Sequence, residues 1–257
     1  MAAPIVMVHG AFCGGWAFEA FREPFEAAGH TVLTPDLRGH GDDDRPGAVA
    51  GVSMTEYARD IAELCAGLPE PPILIGHSLG GLVAQLAAKR APPKALIMLA
   101  PSPPWGVAGS SMEEAVTAFG LMMGAAFAQS ITPDRTLMRT YSLDRMPAAA
   151  REATVQRLRP ESGRALWEAL NWWLDPFMTT SVGTGGIGVP CLVMVGQRDV
   201  VHPPMTARQT AQRLGADYIE MSGMSHWLLG ETGWQDVATQ AWDWLESLEA
   251  TAGSGAA

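Results

Sequence analysis

Short apolar runs rich in β-branched residues recur along the chain at Ile5–Val8, Thr31–Thr34, Ile73–Ile75, Ala95–Leu99, Cys191–Val195 and Asp217–Met221, each bounded by Gly, Pro or Asp. Such runs predict strands. Between most of them lie amphipathic stretches, Phe18–Ala28, Thr55–Leu68, Leu79–Arg90 and Met205–Leu214, that predict helices. Strands alternating with helices predict an α/β fold, a six-stranded, mostly parallel sheet flanked by helices. A last helix over about 233–250 carries Val237, Ala241, Trp244, Leu245 and Leu248 on one face. The small residues 251–257 are expected to form a mobile tail.

One interval breaks the alternation. Residues 101–188 hold helical patterns and no strand, so the expected division is a core of 1–100 and 189–250 and a helical cap of 101–188, inserted after the fourth strand. Ser111-x-x-Glu114 reads as a capping box opening a helix with Ala115, Phe119, Met122, Met123 and Phe127 on its apolar side. Thr132-Pro133 and Met146-Pro147 read as further helix starts, and Glu161–Leu174 as another helix. The stretch 183–188 spells G-x-G-x-x-G, but it precedes a strand where a nucleotide fingerprint must follow one, so it is read as the return from the cap.

The chemistry starts at Gly76-His77-Ser78-Leu79-Gly80, a G-x-S-x-G pentapeptide between a predicted strand and a predicted helix. A side chain presented from so sharp a turn needs neighbours without Cβ atoms, which Gly76 and Gly80 supply. The helix that follows aims its first N–H groups and positive dipole end at the space above Ser78, and Leu79 N–H is the natural first oxyanion donor. The second is expected from the Gly-rich loop after the first strand, from Ala11 N–H with Phe12 as the neighbouring alternative.

A serine nucleophile needs a histidine base oriented by a carboxylate, and only loops after strands can reach Ser78. His226 follows the last strand and fits the chain order Ser, acid, His, whereas His9 is expected to brace its own turn, His30 precedes a strand, and His40 and His202 remain rivals. Asp199 follows the strand Cys191–Val195 and is the expected acid, while Asp36 is read as part of a structural turn. The loop after Ala95–Leu99 offers no carboxylate.

Composition narrows the setting. With 257 residues and 47% apolar content the chain can bury a full core, and a net charge of −10 disfavours nucleic acid and anionic membranes as partners. Three widely spaced cysteines, Cys13, Cys65 and Cys191, suggest neither a disulfide framework nor a zinc site, so a reduced, cytoplasmic setting without metal or cofactor is expected. No apolar run approaches the roughly 18 residues of a membrane span, and residues 1–8 lack a secretion signal.

Together, His9-Gly10, the turn of Asp36, Arg38, Gly39 and Gly41, the elbow at Ser78, Asp199 and His226 resemble the α/β-hydrolase fold superfamily over nearly all of the chain outside the cap. The pattern of His9, Gly10, Ala11, Gly14 and Trp16 is similar to the branch containing plant methylesterases and hydroxynitrile lyases. The Met- and Trp-rich cap departs from that branch, so the resemblance does not carry a substrate. Dehalogenases and epoxide hydrolases of this fold place aspartate where this chain has Ser78, and plant-type lyases carry a helper lysine near the base, whereas the two lysines here are Lys89 and Lys94. The resemblance implies a serine hydrolase with catalytic Ser78, Asp199 and His226 and an oxyanion hole at Ala11 and Leu79; lyase or perhydrolase chemistry and a non-catalytic ligand-binding role are the alternatives. Phe12, His77, Trp227, Trp105, Met122 and Trp172 are the expected substrate-binding residues, and a small apolar ester the expected substrate.

Overall fold

A computed structural model describes residues 2–42, 44–45, 47–109, 128–183 and 185–254. Its main sheet runs β2-β1-β3-β4-β7-β8, all parallel, with β1 (Ile5–Val8), β2 (Val32–Leu33), β3 (Ile73–His77), β4 (Ala95–Leu99), β7 (Cys191–Gly196) and β8 (Asp217–Met221). The period of two along each strand divides the core. Val6, Val8, Leu74, Leu96, Met98 and Val193 face the layer that contains α2 (Met54–Ala66), α3 (Leu79–Ala88) and a helix at Pro204–Leu214. Ile5, Met7, Ile75, Ile97, Leu99 and Met194 face the layer that contains α1 (Glu23–Ala27) and a final helix at Trp234–Ser254. Burial of β1, β3, β4 and β7 on both faces explains why these strands read as unbroken apolar runs.

The element ends differ from the sequence expectations where a cap or a turn intervenes. Ser53 opens α2 with a reciprocal capping box to Glu56, one residue before the expected start. The stretch expected as one helix over Phe18–Ala28 divides into a 3-10 turn, Gly15–Phe18, and the short α1. The final helix continues through Ser254, past the expected end at 250, while 255–257 of the expected tail lie outside the described residues.

The interval 101–188 is not purely helical. Two-residue strands β5 (Ser130–Ile131) and β6 (Glu161–Ser162) pair antiparallel, where no strand was expected. The helix expected from Glu161 starts only at Gly163, as α4 (Gly163–Leu170), because Ser162 caps it by accepting the Ala165 N–H and Glu161 is engaged elsewhere. The capping box at Ser111 and Glu114 and the helix expected after it, with Met122, lie outside the described residues. Among the described residues no helix is long and apolar enough to cross a membrane.

The sheet order puts β3 between β1 and β4, so the loops that leave β1, β3, β4 and β7 converge on one edge. The turn from β3 to α3 has no room for side chains: a Cβ on Gly76 would meet the Gly80 carbonyl, and one on Gly80 would meet the Val8 and His9 carbonyls. Helix propensity alone would make Gly80→Ala stabilising by about 1 kcal/mol. The close approach to β1 instead predicts a loss of about 1–3 kcal/mol, read as a lowered midpoint in thermal or urea unfolding, and an unchanged or raised midpoint would show that the turn can relax.

Candidate active site

Ser78 follows β3 with φ 52° and ψ −123°, a conformation that an L-residue adopts only under constraint. Its N–H donates to Leu99 O at 3.0 Å, and the turn aims its Oγ at His226 Nε2, 3.1 Å away. On the other side of the ring, His226 Nδ1 lies 2.9 Å from Asp199 Oδ2. All three side chains are buried. Asp199 Oδ1 accepts the N–H groups of Val201 at 2.8 Å and His202 at 2.9 Å, so both carboxylate oxygens are engaged and the residue cannot swing away from the ring without breaking backbone bonds. The fold thus brings Ser78, Asp199 and His226 together from three separate loops.

The loop bearing His226 is held from two directions. His77 donates its Nε2–H to the His226 carbonyl at 3.0 Å, and Glu231 accepts the Ser225 N–H at 2.8 Å. Burial, helped by the neighbouring His226, takes the His77 pKa down to about 3, so this ring is a neutral donor. Burial also pushes the Glu231 carboxyl up to about 7. The end of β7 presses against the same loop, since a Cβ on Gly196 would meet the Met224 and Ser225 carbonyls.

After β1 the chain is fixed by a second set of buried polar groups. His9 donates from Nδ1 to Gly10 O at 2.9 Å and accepts the Leu37 N–H at Nε2, also at 2.9 Å. Burial, with His40 nearby, lowers its pKa to about 3. Asp36 accepts the Gly15 N–H at 2.8 Å, as its reading as a structural turn residue implied. Phe12 takes the left-handed conformation, φ 64°, and turns both of its backbone groups to the insert: its N–H to Glu161 Oε2 at 3.4 Å, its carbonyl to Arg159 N–H at 2.9 Å. With Phe12 N–H occupied, Ala11 borders the cavity above Ser78 with its own N–H in the peptide just before.

Glu161 is fully buried, and its four neighbours account for both oxygens: Tyr57 O–H and Ser162 N–H at 2.7 Å on Oε1, Phe12 N–H and His40 Nε2, 3.2 Å away, on Oε2. Burial would raise its pKa, but His40, Tyr57 and the Ser162 N–H outweigh burial and hold it below the usual carboxylate range. For His40, burial works downward and the Glu161 carboxylate more than compensates, so the imidazole pKa lies above its ordinary value. His40 therefore belongs to this site under the insert and not to the Ser78 group. Glu161 was invisible in the sequence because Phe12, His40 and Tyr57 lie more than a hundred residues away; its stretch carried only a helical spacing of apolar residues.

Above Ser78 opens a cavity of about 520 Å³. Ala11, Phe12, Cys13, Leu79 and Trp227 border it from the core, and Ile131, Leu137, Met138, Leu166 and Leu170 from the insert. The Cys13 thiol donates to Ala11 O at 3.3 Å, and burial raises its pKa far above the usual thiol value. Of the expected binding residues, Phe12, His77 and Trp227 line this space. Trp105 and Trp172 are not among its described lining; their rings pack edge to face on each other with centroids 5.3 Å apart. Met122 lies outside the described residues. Among the described residues, no three His, Cys, Asp or Glu side chains converge as metal ligands.

Comparison with known proteins agrees with this architecture. Salicylic acid-binding protein 2 of Nicotiana tabacum is 39% identical over 110 residues, which covers 41% of this chain and 42% of that protein. A pyrethroid hydrolase of Sphingobium wenxiniae is 38% identical over 90 residues, covering 35% and 32%. The matched segments thus span about a third to two-fifths of these relatives' own length. The crystal structure of a methylesterase from Arabidopsis has the same fold, with a TM-score of 0.70 over 97% of this chain and 100% of that one at 19% identity. A model of the alpha/beta hydrolase family matches residues 5–240, from the first strand to within the last helix, and the chain belongs to that family.

Proposed function

We propose that the protein is a serine carboxylesterase that cleaves small, uncharged esters through an acyl-enzyme intermediate. The observation that carries this reading is the continuous chain from Ser78 Oγ to His226 at 3.1 Å and on to Asp199 at 2.9 Å, opening on an apolar cavity. In this reading Ser78 Oγ attacks the ester carbonyl carbon as His226 Nε2 takes its proton, and Asp199 stabilises the imidazolium and keeps its tautomer. The carbonyl oxygen, now an oxyanion, is met by the N–H groups of Leu79, at the start of α3, and Ala11. Collapse of the tetrahedral intermediate breaks the bond to the alcohol, which leaves with the proton from His226. Water then adds to the acyl-enzyme by the same proton route and releases the acid. The mostly apolar lining, in which Asp134 is the one carboxylate among the described residues, favours uncharged groups on the substrate and disfavours anionic ones most, since an anion would lose its hydration there beside a like charge.

Glu161 serves this reading as a positioning residue. By occupying the Phe12 N–H it fixes the Ala11–Phe12 peptide, and with it the aim of the Ala11 N–H. Losing an oxyanion donor outright costs about 10²–10³ in kcat.

Ser78→Ala and His226→Ala are expected to abolish hydrolysis of p-nitrophenyl esters while leaving the unfolding midpoint in place, and Asp199→Asn to lower kcat by about 10⁴. A fluorophosphonate should label Ser78, located by peptide mass. Turnover that survives in Ser78→Ala would end the serine-esterase reading, and near-normal rates in Asp199→Asn would move the acid elsewhere. Glu161→Gln is expected to lower kcat about 10- to 100-fold, less than complete loss of a donor, with KM little changed. A change confined to KM would mean that Glu161 shapes the cavity and not the oxyanion loop.

A further inference from the structure

Two of the polar side chains that border the mostly apolar cavity lie beside the proposed triad. Ser102 Oγ and His202 Nε2 lie 2.9 Å apart, both residues are buried, and both border the cavity. Each is tied by its backbone to a member of the triad: Ser102 N–H donates to Ser78 O at 3.0 Å, and His202 N–H donates to Asp199 Oδ1. Ser102 O is approached by Gln85 Nε2 at 3.5 Å. The turn that delivers Ser102 is strained. Ala100, the residue after β4, has φ 46°, and its N–H donates to Met194 O at 2.7 Å. Of the four non-glycine residues with positive φ among those described, two line the cavity, Phe12 and Ser78, and a third, Ala100, aims Ser102 into it. Such conformations persist where surrounding structure enforces them and gather at functional sites.

We propose that the Ser102–His202 pair is a subsite for a hydroxyl group on the alcohol portion of the ester, which makes monoesters of diols, or of similarly hydroxylated alcohols, the preferred substrates. The inference rests on the esterase reading above. Sheet order fixes the side. The Ala11 loop leaves β1 and Ser102 follows β4, on opposite sides of β3 and Ser78, so the pair lies across the nucleophile from Ala11. It also adjoins the base: the His202 and His226 rings meet edge to face with centroids 5.3 Å apart. His226 must protonate the departing alcohol oxygen, so the group next to it on that side meets the alcohol part of the substrate.

Hydrogen-bond capacity fixes the ligand. A serine hydroxyl has one donor and two acceptor positions, and among the described residues His202 is its one partner. If the Ser102 O–H donates to His202 Nε2, the oxygen is left to accept; if His202 Nε2–H donates to Ser102, the O–H is left to donate. A substrate hydroxyl fits either tautomer, because it can donate or accept. An alkyl group at the same place would leave the remaining hydrogen-bond position of the buried Ser102 hydroxyl without a partner, and sites built to hydrogen-bond a substrate discriminate strongly against the isostere that lacks the group.

The test compares isosteric esters by kcat/KM, corrected for their alkaline hydrolysis rates: 2-hydroxyethyl butyrate against propyl butyrate, and, as the acyl-side control, propyl 3-hydroxybutanoate against propyl 3-methylbutanoate. Wild type is expected to favour the 2-hydroxyethyl ester by about tenfold or more, with no such preference in the acyl pair. In Ser102→Ala the ratio should fall to near one, while fluorophosphonate labelling of Ser78 verifies that the site is assembled. Turnover of propyl butyrate without preference for the hydroxyl, or a preference unchanged in Ser102→Ala, would overturn the subsite and leave the esterase reading standing. A hydroxyl preference in the acyl pair that Ser102→Ala removes would overturn its assignment to the alcohol side. Absence of turnover on every ester would overturn both.

Discussion

The contact between the Ser78 turn and the end of β1 constrains everything above it. Gly76 and Gly80 let β3, α3 and the last residues of β1 approach until backbone meets backbone, and this closeness turns Ser78 out of the sheet at φ 52°. A parallel sheet supplies the framework, because the loops after its strands emerge along one edge and the strands beneath are locked by apolar packing on both faces. Strain at Ser78 persists in such a setting because relaxing it would part the closely approached backbones of β1, β3 and α3.

Burial acts on the polar groups of this edge in two opposite ways. His9 and His77 are kept neutral by desolvation and serve as fixed hydrogen-bonding struts, one for the loop after β1 and one for the loop of His226. Glu161 and His40 are as deeply buried, yet their pKa values shift towards the charged forms, because each stabilises charge on the other and Tyr57 and Ser162 bond the carboxylate. A buried pair of this kind is weak evidence for added stability, since desolvation offsets its attraction. Its consequence is geometric: it ties the insert to Phe12 and so to the rim of the cavity.

The insert is thus part of the site's construction as well as its roof. Glu161 and Arg159 grip the two backbone groups of Phe12, and Ser162 donates from its hydroxyl to Val52 O at 2.5 Å. The short β5–β6 pair stiffens the segment that makes these bonds. On its outer side the same insert leaves Trp173 and Phe177 exposed, the latter at 87%, so its aromatic content is not all directed at the cavity.

By itself the sequence determined the six strands, the elbow, and the pairing of Ser78 with Asp199 and His226, because each depends on a local rule: apolar runs bounded by breakers, glycines flanking a turn, functional groups a few residues past a strand. Local patterns could likewise show that His9 and Asp36 sit in turns. Tertiary structure alone decided which tryptophans reach the cavity, since the rings of Trp105 and Trp172 pack on each other while Trp227 borders the space above Ser78. Glu161 with His40 and Tyr57, and Ser102 with His202, were equally out of reach, joining residues about a hundred positions apart or more. A buried polar group takes whichever partner the packed elements bring within 3 Å, and no periodicity along the chain encodes that meeting.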